Sequence, residues 1–272
     1  MPQKLGQHFL KNKLVLKKIV DALAPEKNDA VIEIGPGHGE LTDFILERNA
    51  TIIAIERDPE LVSYLENKFQ VKKTDPETIS KIRELKTINL IEGNGLKILP
   101  EIVAALSSGA SGYKIAGNIP YYITGHLLRV IGELKHKPSK TTLLIQNEVA
   151  ERVCAKSPDS SLLSLSVQFW AEPKIIASVP ASDFFPPPKV ESAIITLTTR
   201  SENDRKETYA GKYYAFIKKA FKQPRKTLIN NLLSGGVDKE TAISIINNLG
   251  LKVNSRPQEL SVSAIINSTL LY

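Results

Sequence analysis

Between Asp29 and Thr199 short β-branched runs alternate with amphipathic segments: "AVIEIG", "TIIAIERD", "TINLIEG", "KIAGNIP", "TTLLIQNE", "SVQFWAEPKIIASVP" and "SAIITLTTR". Strands separated by helical patterns predict βαβ units and a mostly parallel sheet covered on both faces. Only "PASDFFPPPKVE" separates the last two runs, too little for a crossover helix, so those strands are expected to pair antiparallel. The predicted fold is α/β, an open doubly wound sheet with an antiparallel hairpin at one edge. After Arg200 the spacing turns helical, with Tyr213, Phe216, Ile217, Ala220 and Phe221, then Ala242, Ile245, Ile246 and Leu249 before Gly250. Two domains are expected, 1–199 and a small helical domain at 200–272, with Phe69 to Lys86 as a charged surface insertion.

Composition narrows the functional classes. A 272-residue chain that is 42% hydrophobic and 24% charged can bury a substantial core. A single cysteine, Cys154, excludes an intramolecular disulfide framework and predicts no metal site and a reducing, cytoplasmic setting. No apolar run approaches the roughly 18 residues of a membrane span, so no membrane partner is expected. The first twenty residues carry five lysines (Lys4, Lys11, Lys13, Lys17 and Lys18) and no acid, which does not match a secretory signal. The net charge is +7, and Tyr209 to Lys226 contains six Lys or Arg and no acid. Clustered charge of this kind neutralises phosphates or simply solvates a face.

The first strand enters "EIGPGHGELT", so Gly35, Gly37 and Gly39 form a turn directly before a helix, a geometry that brings a ligand to the backbone and to helix N-terminal NH groups. A dinucleotide turn needs a third glycine where this chain has Glu40, whereas the spacing suits the looser turn that meets the amino-acid part of S-adenosylmethionine. Glu56 ends the second strand, 21 residues after Gly35, where a carboxylate accepts from two ribose hydroxyls; an ordinary strand-terminal glutamate is the alternative. Asn94, at the end of the third strand, is either an acceptor for an adenine amine or a plain Asn-Gly turn.

The fourth strand runs into "GNIPYYIT". An exocyclic adenine nitrogen is a weak nucleophile, because its lone pair is delocalised into the ring. Two acceptors that grip both amino hydrogens leave that lone pair aimed at a methyl donor. Asn118 supplies one acceptor and the Ile119 carbonyl the other, while Pro120 keeps Ile119 extended and Tyr121 stacks on a base swung out of its helix. Three prolines stiffen "DFFPPPKVES", which would present Phe184 or Phe185 as a second stacking ring; edge-hairpin core is the alternative.

Taken in order, "GQHFL", "EIGPGHGELT", "IERD", "GNIPYYIT", "FFPPPKVESAI" and "AFKQPRKTLINNL" resemble the small-subunit ribosomal RNA adenine dimethyltransferases, relatives of the antibiotic-resistance adenine methyltransferases. The resemblance runs from about Leu5 to the C-terminus. It implies a Rossmann-like class I methyltransferase sheet and dimethylation at N6 of two adjacent adenosines near the 3′ end of small-subunit rRNA. S-adenosylmethionine would be the donor, no metal would be involved, and the partner would be the assembling small ribosomal subunit. It implies cofactor contacts from His8, Leu10, Gly35, Glu56, Asn94 and Asn118, to which the glycine turn adds Gly37 as an expected cofactor contact, and a base-stacking role for Phe184. The family usually carries Asp at the Asn94 position and a basic residue at the Pro224 position. A monomer is expected.

Overall fold

The computed structural model describes residues 8–27, 29–74, 87–106, 112–201 and 207–268. Its main sheet has seven strands: β2 (Ala30–Ile34), β3 (Thr51–Glu56), β4 (Ile88–Glu92), β5 (Tyr113–Asn118), β6 (Lys140–Gln146), β7 (Ala171–Val179) and β9 (Ser192–Thr199), in the order β4-β3-β2-β5-β6-β9-β7. β2 pairs in parallel with β3 and β5, so Ile32 lies level with Ile53 on one side and Ile115 on the other. β3–β4 and β5–β6 are also parallel, and β9 runs antiparallel to β6. Every residue of β2 is buried, as expected of a strand covered on both faces. A separate two-stranded ribbon pairs β1 (Phe9–Leu10) with β8 (Phe184–Phe185), joining segments far apart in the chain.

Helices α1 (Lys13–Leu23), α2 (Glu40–Leu46), α3 (Pro59–Phe69), α4 (Gly95–Leu106) and α5 (Thr124–Glu133) connect these strands. Their starts follow from local chemistry. The Asn12 side chain accepts from the Leu14 amide ahead of α1, and Asp58 accepts from Glu60 ahead of α3, whose first residue is Pro59. α1 buries Val15, Leu16, Ile19, Val20 and Leu23 in the same core cluster as Ile52 and Leu144. α6 (Asn147–Cys154) follows β6.

The chain divides into two compact units, 1–150 with 174–199, and 151–173 with 200–272. The second unit therefore takes in 151–173 as well as the residues after Thr199. Part of the run expected as a strand is helical: Ser166, Val167 and Gln168 lie in α7 (Leu162–Gln168), and the strand begins at Ala171. The reason is a capping box, with Ser161 Oγ accepting from the Ser164 amide at 3.0 Å and Ser164 Oγ accepting from the Ser161 amide at 2.7 Å. Periodicity alone does not separate a short buried helix from a buried strand. The rest of this unit comprises α8 (Ala210–Ala220), α9 (Leu228–Ser234), α10 (Lys239–Asn248) and α11 (Val262–Asn267). Tyr213 stacks on Phe169 at 4.4 Å and donates its hydroxyl to Leu165 O. Buried Asn231 staples the basic loop before α9: its Oδ1 accepts from the Gln223 amide at 2.6 Å, and its Nδ2 donates to the Gln223 and Thr227 carbonyls, both at 3.0 Å. Of the stretch expected as a surface insertion, 75–86 lie outside the described residues.

Candidate active site

Because β3 and β5 flank β2 on opposite sides, the carboxyl ends of these strands open a crevice at the point where the strand order reverses, the usual ligand position in open α/β sheets. A cavity of about 290 Å³ lies there, with His8, Gly35, Glu56, Asn94, Asn118 and Tyr121 in its wall. Leu10, Gly37, Ile119 and Pro120 also line it. The structure thus brings together every expected site residue except Phe184.

The glycine turn at the end of β2 holds Gly35, Gly37 and Gly39 at φ of +68°, +61° and +81°, a region that L side chains rarely adopt. Their surroundings differ. A Cβ on Gly39 would lie 2.8 Å from the Phe69 ring and one on Gly37 3.2 Å from Phe9, so packing adds to the backbone conformation in favouring glycine at those two positions. At Gly35 the nearest atom would be the Asn118 carbonyl oxygen at 4.0 Å, which leaves this backbone approachable from the cavity.

Glu56 is not a surface glutamate, since only 5% of it is exposed. Its Oε1 accepts from the Arg57 and Asp58 amides at 2.7 and 2.9 Å, and its Oε2 from the Gly37 amide at 3.2 Å. Burial pushes its pKa up, and these backbone donors pull against that. Asn94 Oδ1 accepts from the Leu96 amide at 3.0 Å and so caps the start of α4. This is the turn expected of Asn-Gly, and the capped oxygen keeps a second lone pair at the cavity wall.

β5 ends at Asn118, whose Nδ2 donates to the His8 carbonyl at 3.0 Å. That bond assigns the amide's orientation and leaves Oδ1 as an acceptor with no donor among the described residues. The Ile119 carbonyl likewise receives no hydrogen bond among the described residues, although the Ile119 side chain is buried. Pro120, at φ −56° and ψ 133°, leads into a 3-10 turn over Tyr121–Ile123. Tyr121 is half-buried, its hydroxyl 2.6 Å from Ser192 Oγ and its ring stacked on His8 at 5.9 Å. His8 Nδ1 in turn lies 2.7 Å from the Pro186 carbonyl. Tyr122, 64% exposed, stands at the cavity's edge.

Phe184 does not fit the stacking role that the resemblance implies. It pairs with Leu10 in the ribbon, is 4% exposed and belongs to the core cluster with Leu16 and Ile19, away from the cavity wall. Alternation along a strand turns its neighbour outward, and Phe185 is 59% exposed. Sequence reasoning also passed over Glu33. It lines the cavity at 1% exposure, accepts from Thr42 Oγ1 at 2.7 Å, and is pushed up to about 8 by burial. The one available signal was an acid in the middle of an otherwise apolar strand, "AVIEI". Gly117 was missed too: a Cβ there would sit 2.8 Å from the Ile34 carbonyl oxygen, so β2 and β5 can approach only because this residue has none.

This donor set fits S-adenosylmethionine. A carboxylate ends β3 for the ribose diol, an approachable backbone at Gly35 suits the amino-acid part, and Asn94 suits the adenine edge. Among the described residues, no three or more His, Cys, Asp or Glu group to hold a metal ion.

The family model described as ribosomal RNA adenine dimethylase matches residues 2–269. A ribosomal RNA small subunit methyltransferase A from Dehalococcoides mccartyi (strain CBDB1) is 35% identical over 259 residues, 95% of this chain and 84% of that protein. One from Synechococcus sp. (strain CC9902) is 36% identical over 271 residues, covering 96% and 92%. Among solved structures, a dimethyladenosine transferase from Plasmodium falciparum superposes with a TM-score of 0.72 at 22% identity, covering 96% of this chain and 95% of that one. The 23S rRNA methyltransferase ErmE gives 0.71 at 20% identity, covering 97% and 98%. At those identities the two structures speak to the fold, a class I methyltransferase sheet. On the match across nearly its whole length, the chain belongs to the ribosomal RNA adenine dimethylase family.

Proposed function

We propose that this protein is an S-adenosylmethionine-dependent dimethyltransferase acting on N6 of two adjacent adenosines in the 3′-terminal hairpin of small-subunit rRNA. The observation that carries this reading is the pair of acceptors without donors, Asn118 Oδ1 and the Ile119 carbonyl, at the cavity edge. Each takes one hydrogen of the adenine amine, which rotates the nitrogen lone pair out of conjugation and toward the cofactor. His8 holds Asn118 in the accepting orientation, Pro120 fixes the Ile119 carbonyl, and Tyr121, with its hydroxyl tied to Ser192, presents a ring for the base. When bound, the cofactor supplies an electrophilic methyl group on a sulfonium. Alignment of this kind contributes about 7 to 11 kcal/mol in well-oriented systems. Each transfer would break the S–CH3 bond and leave a neutral thioether, and the methylated nitrogen gives up one proton to solvent; after the first, one hydrogen remains for one acceptor, and rotation about the exocyclic bond turns the lone pair back for a second. Glu56, Gly35 and Asn94 hold the ribose, amino-acid and adenine parts of the cofactor.

The exposed Lys218, Lys219, Lys222, Arg225 and Lys226 of the second unit bind rRNA phosphates, with Pro224 in place of a further cation. We place the protein in the cytoplasm as a monomer, acting during small-subunit assembly. The small-subunit target is favoured by the names of the curated relatives.

The test is Asn118→Ala with labelled S-adenosylmethionine and undermethylated small ribosomal subunits, with large subunits in parallel. Loss of one positioned polar group is expected to lower kcat at least about 100-fold. Undiminished incorporation removes the role of Asn118, and wild-type incorporation confined to large subunits removes the small-subunit assignment.

A further inference from the structure

Lys11 follows directly on β1, whose Phe9 and Leu10 line the cavity, and its Nζ stands 4.0 Å above the centroid of the exposed Phe185 ring. A backbone bond from the Lys11 amide to the Asp183 carbonyl, 2.8 Å, holds the two segments together. The chain then enters α1, where Lys13, Leu14, Lys17 and Lys18 are all exposed. Their i, i+4 spacings, 13 to 17 and 14 to 18, put them on one side of the helix. Among the described residues none of the four lysines, 11, 13, 17 and 18, pairs with a carboxylate, and Asp21, the first acid along the chain, is engaged by Arg48. A row of uncompensated ammonium groups therefore ends at a largely exposed aromatic ring with a cation over one face, paired in the ribbon with Phe9 of the cavity wall.

We infer that Lys11, Lys13, Lys17, Lys18 and Phe185 form an RNA track on the catalytic unit itself, in addition to the basic loop of the second unit. The lysines hold phosphates of the unpaired strand flanking the target adenosines, and Phe185 stacks on one of its bases. The inference rests on the proposed methyltransferase reading. Ammonium groups in a row match a phosphate backbone, and an exposed ring offers a surface that any base can stack on. The cation over Phe185 serves both, since it draws in the phosphate next to the stacked base. A bilayer is a poor fit, because Val15, Leu16, Ile19, Val20 and Leu23 of α1 are buried in the core and Leu14 alone is left outward.

The experiment uses the full chain and a fluorescently labelled RNA hairpin of the small-subunit rRNA 3′ end with its unpaired flanks, in salt titrations read by anisotropy. Substituting Lys13→Gln, Lys17→Gln and Lys18→Gln together is expected to reduce the slope of log affinity against log salt by about 2, from about 0.7 per phosphate contact on a single strand. Phe185→Ala is expected to weaken binding roughly 5- to 150-fold with little change in slope, and Phe185→Trp to restore it. S-adenosylmethionine affinity by calorimetry and the melting curve should match wild type in every variant. An unchanged slope in the triple variant together with unchanged affinity in Phe185→Ala overturns the track, and so does transfer of the variants' effect to binding of anionic vesicles instead of RNA. A wild-type chain that binds neither the cofactor nor this RNA overturns the methyltransferase reading itself, which separates the two failures.

Discussion

Replacing Glu33 by glutamine should make the protein more stable, and increasingly so as pH rises. Glu33 is 1% exposed, and burial lifts its pKa from the ordinary 4.5 to about 8, with the Thr42 hydroxyl bond opposing the shift. The native state therefore holds this proton more tightly than the unfolded chain does. Stability is fully present below pH 4.5, falls as the unfolded chain ionises, and levels off once pH has passed about 8. At about 1.4 kcal/mol per unit, the loss is about 3 kcal/mol at pH 7 and about 5 kcal/mol above pH 8. Glutamine is close in shape, accepts the same bond from Thr42 and does not titrate, so it removes this dependence. Glu56 is also shifted upward and its charge is a minor cause of the shift on Glu33, so its own contribution largely cancels in the difference. Urea denaturation of both proteins at pH 5, 6, 7 and 8, at fixed ionic strength, should show the stability difference growing by about 1 kcal/mol per pH unit. Parallel profiles would mean that Glu33 is ionised in the native state and that burial does not control its charge.

Gly117→Ala drives a Cβ against the Ile34 carbonyl, backbone that cannot swing aside, and should cost about 2 to 3 kcal/mol in thermal or urea denaturation while weakening cofactor binding by calorimetry. Asn231→Ala strands the Gln223 amide and carbonyl, so about 2 to 4 kcal/mol of stability should be lost; RNA affinity should fall with it while cofactor affinity holds. Asn94→Asp keeps the cap on the Leu96 amide and puts a charged acceptor on the cavity wall, so calorimetry should find S-adenosylmethionine bound roughly 3- to 10-fold more tightly.

The parts of this protein that could be read from its sequence are those whose physics is local. β-branched runs such as "TIIAIE" become parallel strands because burial on both faces demands apolar residues in succession, and Asn118 falls at a strand end because the apolar run stops there. Glu56 and the glycine turn follow the same rule. What escaped depends on partners distant in the chain. Nothing in "GQHFL" or "DFFPPP" announces that the two pair, and only that pairing decides that Phe184 points inward and Phe185 outward. The capping box at Ser161 and Ser164 was legible as chemistry, but a strand was read through the apolar residues after it. The need for glycine at 117 exists only once Ile34 is alongside, and the shift on Glu33 only once helices cover β2.

His8 binds its carbonyl to Asn118, 110 positions away, and its ring nitrogen to Pro186, 178 positions away. During synthesis the first segment of the chain must therefore wait until nearly 190 residues have emerged before it can be locked against the ribbon. The central strands β2 to β6 can assemble well before that. Folding of the sheet and completion of the site are thus separate events in time, and a nascent chain carries Asn118 without the contact that aims it. The second anchor of His8 arrives only with the triple-proline loop, so residues outside the cavity wall also set when, in the protein's own biosynthesis, the site is completed.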